Sequence, residues 1–160
     1  MAFARPDSVG LLELDSGVQR NLLDLKPLQT GGDWAWVPGL SWGADGEVLY
    51  TVAHSAPAGS NNPEQSPQFD LTAIPLAGGL PLPLVQSVGM FAYPASSPLQ
   101  KAEDGTPNSY QVAYLQAISP LQSETSRYKL SIMDQDGSNK RSLFPEEGLP
   151  GLEPQRLCWS

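Results

Sequence analysis

Gly39-Leu40-Ser41-Trp42-Gly43 has the G-x-S-x-G spacing of a nucleophile elbow, in which a strand turns sharply into a helix and exposes a serine hydroxyl for attack. Such a serine needs a base, and the chain holds one histidine, His54. The residues after Gly43 argue against the elbow. Ala44-Asp45-Gly46 reads as a turn and 48–53 as a strand, so Ser41 is expected within a strand and no catalytic residue is assigned. Asp134-Gln135-Asp136-Gly137-Ser138-Asn139 sets oxygen side chains at alternate positions, as a calcium loop begins. The position that should supply a bidentate glutamate is Pro145, so a hairpin turn is expected there and no metal. His54 has no second nitrogen or thiol at ligand spacing and reads as a strand-end residue. Trp34 and Trp36, two apart in a strand-like stretch, are expected on one side of it. Their indoles offer apolar area and one donor each, to a peptide or sugar or to packing between sheets. Trp34, Trp36 and His54 are the candidate binding residues, and no cofactor is implied.

The elements that must position these residues are short strands. Fifteen glycines and sixteen prolines in 160 residues punctuate the chain too often for long helices, which points to an all-β fold. Three segments rich in apolar residues each end in a glycine turn: Gly10-Leu11-Leu12-Glu13-Leu14-Asp15-Ser16-Gly17, Leu71-Thr72-Ala73-Ile74-Pro75-Leu76-Ala77-Gly78-Gly79 and Leu130-Ser131-Ile132-Met133-Asp134-Gln135-Asp136-Gly137. A second strand follows each, over 18–23, 80–85 and 138–143, making three hairpins. Ahead of each hairpin lies another apolar stretch, at 1–5, 48–53 and 112–117, and ahead of two of those a fourth, at 39–42 and 90–95. The remaining copy of that fourth element is 156–160. Twelve strands thus form three sets of four. The polar stretches 55–68, 96–109 and 118–126 are expected as long loops.

A formal charge of −8 repels phosphate backbones, so no nucleic-acid partner is expected. No apolar run reaches the ~20 residues that span a bilayer, and no leader-like sequence opens the chain, so no membrane insertion is expected. Cys158 stands alone and is read as a small apolar side chain in a strand.

Trp42-Gly43-Ala44-Asp45-Gly46-Glu47-Val48-Leu49-Tyr50, the hairpins ending in Asp-Gly or Gly-Gly, and Trp159-Ser160 resemble the TolB-like, WD40-like propeller repeat of bacterial proteins. The second full unit departs from it, with Tyr93-Pro94-Ala95-Ser96 in place of the Asp-Gly turn. The resemblance implies a β-propeller of four-stranded antiparallel blades, about three per chain. The units are 1–24, completed by 155–160 of a partner chain, then 39–86 and 90–144. Trp159-Ser160 aligns with Trp42-Gly43, and Met1 with Val48. Two chains would then close a six-bladed ring as a homodimer, with Trp42 and Trp159 in equivalent packed places. The family implies a noncatalytic scaffold or binding module with a protein or peptide partner, in a periplasmic or extracellular parent protein. A noncatalytic propeller fragment of a larger enzyme, such as a serine peptidase, is the other reading it admits. The loops after the second and fourth strands, with Trp34, Trp36, His54 and 55–68, form the expected binding face.

Overall fold

The computed structural model describes residues 1–100 and 108–160. Among these, eleven strands form three antiparallel sheets in chain order. Sheet I holds β1 (Ala2–Arg5), β2 (Ser8–Leu12) and β3 (Gln19–Asp24); sheet II holds β4 (Leu40–Trp42), β5 (Val48–Ser55), β6 (Gln68–Pro75) and β7 (Leu82–Val85). Sheet III holds β8 (Ala95–Ser96), β9 (Gln111–Ala117), β10 (Tyr128–Asp134) and β11 (Arg141–Phe144). Pro63–Gln65 and Pro120–Gln122 are single 3-10 turns. No helix is long and apolar enough to cross a membrane. The expected hairpins are β2–β3, β6–β7 and β10–β11. At the last of these, Gly137 takes φ 83°, a conformation that favours glycine, and its N–H donates to Asp134 C=O at 2.9 Å.

Burial explains why the strands read differently. Sheet II is covered on both faces, so β5 is apolar almost continuously rather than in alternation. Leu49 and Ile74 pack with Val9 and Leu25 between sheets I and II. Tyr50, Val52, Leu71 and Ala73 pack with Val112, Tyr114 and Met133 between II and III. A third cluster, Leu115, Ala117 and Tyr128, lies on the far face of sheet III beneath Phe91, Tyr93, Leu152 and Leu157.

Each sheet carries one register shift at the same place, after Val9 in β2, Leu71 in β6 and Leu130 in β10. These three residues are equivalent, and so are their partners Ala4, Val52 and Leu115. Counting back, Ala2 is the counterpart of Tyr50 and Met1 of Leu49. The alignment of Met1 with Val48 is therefore one residue out. Because successive side chains point to opposite faces, that single step decides which side chains meet sheet II: Ala2 and Ala4 do, whereas Phe3 lies on the other face over Gly10.

Two further expectations change. The strand expected over 90–95 is only Ala95–Ser96, because Tyr93 at φ 43° and Pro94, which has no N–H, end the pairing. Val88, Met90 and Ala92 instead fill the gap between sheets II and III. The segment 156–160 forms no strand of its own. Leu152 bridges Tyr128, and the Trp159 indole donates to Ala95 C=O at 2.9 Å. Trp42 and Trp159 are 43% and 40% exposed in the single chain, so neither is buried in it. Of the expected loop 96–109, residues 101–107 lie outside the described residues.

Candidate functional site

Three connections converge at one end of the sheets: 25–39 between sheets I and II, 56–67 between β5 and β6, and 118–127 between β9 and β10. They enclose a cavity of about 610 Å³. That size suits a small ligand or a peptide side chain. Phe69 and Met90 form its buried floor, Trp34 stands 44% exposed at the rim, and Gln29, Gln65 and Glu124 add polar groups. Hydrogen bonds hold the walls. Gln29 N–H donates to Glu64 C=O at 2.7 Å, the Gln65 amide to Gln29 Oε1 at 3.0 Å, and Met90 N–H to Ser123 Oγ at 3.2 Å. Thr30 Oγ1 donates to Gly32 C=O at 3.2 Å and contacts Trp34 C=O, which shapes the turn presenting the indole.

The three sequence candidates part company here. Trp36 does not share a surface with Trp34. It is 4% exposed, donates its indole N–H to Met90 C=O at 3.2 Å and meets Phe69 edge-on at 4.9 Å. The connection is not a strand, so the two-residue spacing does not hold the indoles on one side. His54 is buried at the end of β5, with Nδ1 2.7 Å from Lys26 C=O and Nε2 2.8 Å from Ser66 C=O. Both ring nitrogens face backbone oxygens. His54 thereby ties connection 25–39 to loop 56–67 behind the cavity.

No family model, curated protein or solved structure matches the chain.

Ser41 lies in β4 opposite Tyr50, and His54 stands four residues further along β5, roughly 13 Å away at strand rise. That separation is beyond hydrogen-bond reach. In the 134–139 turn, Asp136 Oδ1 accepts from Ser138 N–H at 2.9 Å and Ser138 Oγ at 2.6 Å, while Asp134 Oδ2 accepts from the Asn139 amide at 2.6 Å. The Ser138 hydroxyl and amide hold the Asp136 carboxyl below its ordinary value. Among the described residues no three His, Cys, Asp or Glu side chains gather as metal ligands.

Sequence reasoning placed the loops that surround the cavity on one face but missed its floor, Phe69 in β6 and Met90 in the connection before β8, which share no local pattern. It also missed a buried tyrosine pair. Tyr50 OH donates to Gln135 C=O at 2.8 Å and lies 2.9 Å from Tyr110 OH, linking sheets II and III. Burial raises the phenol pKa of both.

Proposed function

We propose that the chain is a noncatalytic β-propeller module of the TolB-like repeat type, half of a six-bladed ring, which binds a peptide segment of a protein partner on its loop face. The observation that carries this reading is the order of the sheets. Sheets I, II and III stack in chain order with an apolar cluster at each junction, and β4 lies against both β1 and β8, so the inner strands form a row. A propeller stacks its blades in this way around an axis. A concave recess of about 620 Å³ on that side, lined by Leu40, Ser41, Pro94 and Arg156, suits part of an axial channel. The far face of sheet I then needs covering, and a second copy related by twofold symmetry would set it against the Leu152 and Leu157 side of sheet III. The cavity below Trp34 supports peptide binding, since an exposed indole over an apolar floor takes an apolar side chain while amides take its backbone.

Sedimentation should return twice the 17.2 kDa chain mass, and deleting residues 155–160 should leave a monomer. A folded monomer of the intact chain at micromolar concentration would overturn the half-ring. Selection from a displayed random-peptide library should recover sequences with an apolar anchor that bind the intact chain and not Trp34→Ala. Binders indifferent to Trp34→Ala would remove the cavity from the assignment.

A further inference from the structure

Among the described residues, the inner edge of β1 is the one place in the stack of sheets where a second strand lacks a first. β5 pairs with β4 and β9 with β8, whereas the order in sheet I begins at β1. The segment 157–159 already sits where the first strand of a further sheet would lie. Leu157 packs in the cluster on the far face of sheet III, as Leu40 packs in the cluster between sheets I and II, and the Trp159 indole holds the segment against β8. Cys158, between them, is exposed.

From these placements we infer that residues 157–159 of a second copy add to the free edge of β1 in one definite register, Leu157 opposite Phe3, Cys158 opposite Ala2 and Trp159 opposite Met1. The register follows from β4 on β5, where Leu40 pairs Thr51, Ser41 pairs Tyr50 and Trp42 pairs Leu49. Substituting Phe3 for Thr51, Ala2 for Tyr50 and Met1 for Leu49, as the shared bulges require, gives the inferred pairs. Sequence alignment of Met1 with Val48 would instead set Cys158 opposite Phe3. The same equivalence gives the docking face its chemistry. Met1 and Leu12 are the counterparts of Leu49 and Ile74, which bury against sheet I, so they would bury against sheet III of the second copy. Met1 is 63% exposed in the single chain, and the inference leaves it covered. The tail keeps its own seat on sheet III, so the pairing needs no rearrangement.

This inference rests on the two-copy reading above and is tested separately from it. Cys158 is the sole cysteine, so each substitution adds one partner only. Directly opposed strand residues lie within disulfide range. Under mild oxidation Ala2→Cys should yield a disulfide-linked dimer on a non-reducing gel, and the unsubstituted chain and Phe3→Cys should not. In a Cys158→Ser background, Phe3→Cys with Leu157→Cys should cross-link in the same register, which guards against a folding defect in any one variant. Cross-linking through Phe3→Cys to Cys158 instead of Ala2→Cys would overturn the register. A dimer by sedimentation that cross-links in neither pair would overturn strand addition and leave the two-copy reading standing, and a monomer would overturn both.

Discussion

Trp34 and Trp36 show how two like residues in one short stretch come to separate tasks. Trp36 is enclosed by Phe69 and Met90, and its only polar group is satisfied by Met90 C=O. Trp36→Ala should cost about 3–5 kcal/mol in urea unfolding, the range for truncating a buried aromatic. Trp34→Ala, at the cavity rim, should stay within about 0.5 kcal/mol. Equal losses at the two positions would contradict the placement. The buried tyrosines make a pH prediction. Burial pushes the Tyr128 phenol up to about 12, against hydrogen bonds to Phe91 and Ser123, whereas an unfolded tyrosine titrates near ~10. The folded chain therefore keeps a proton that the unfolded chain gives up. Its contribution is full below about pH 10 and is lost as pH climbs through about 12. Unfolding midpoints should fall over that window, and Tyr128→Phe should make the fall shallower. An identical slope in the variant would remove Tyr128 as a cause.

Among the elements, the connections matter as much as the strands, because they bring the cavity together. His54 is an anchor at the end of β5, touching carbonyl oxygens from two connections at once. Removing the ring in His54→Ala takes away the donor it offers to these carbonyl oxygens, with an expected cost of about 1–3 kcal/mol. Amide exchange should rise in 25–39 and 56–67 ahead of the strands. If protection in those connections is unchanged, the clasp is not what orders them. Gly89 shows the same economy between sheets II and III. It takes φ 98°, and a Cβ there would come 2.6 Å from Ala117 Cβ and 3.2 Å from Ser123 Cβ. Only glycine lets the chain pass so close to β9.

For the whole molecule, three exposed apolar side chains stand along the row of β1, β4 and β8. Met1, Trp42 and Trp159 lie along the inner-strand side, each at least two-fifths exposed. A stack of three sheets leaves such surface, because each sheet buries its faces only against its neighbours. Association that covers it makes stability depend on protein concentration. The thermal midpoint of the intact chain should rise with concentration, and the variant lacking 155–160 should lose that dependence. A concentration-independent midpoint in the intact chain would count against the half-ring.

The residues and their order alone determined the all-β class, the three hairpins with their glycine turns, the place of Ser41 within a strand and the hairpin turn at 134–139. These are local matters: alternation, turn residues and missing spacing act within a few positions. Tertiary structure decided the rest. Whether Met1 matches Leu49 or Val48 hangs on which face of β1 meets sheet II, and a one-residue slip leaves the local apolar pattern almost unchanged. Trp34 and Trp36 were alike by spacing and were separated only by the stacking of sheet II on sheet III, which encloses one indole and leaves the other at a rim. The loops around the cavity were legible as one face, but its floor was not, since Phe69 of β6 and Met90 meet only once sheets II and III have packed.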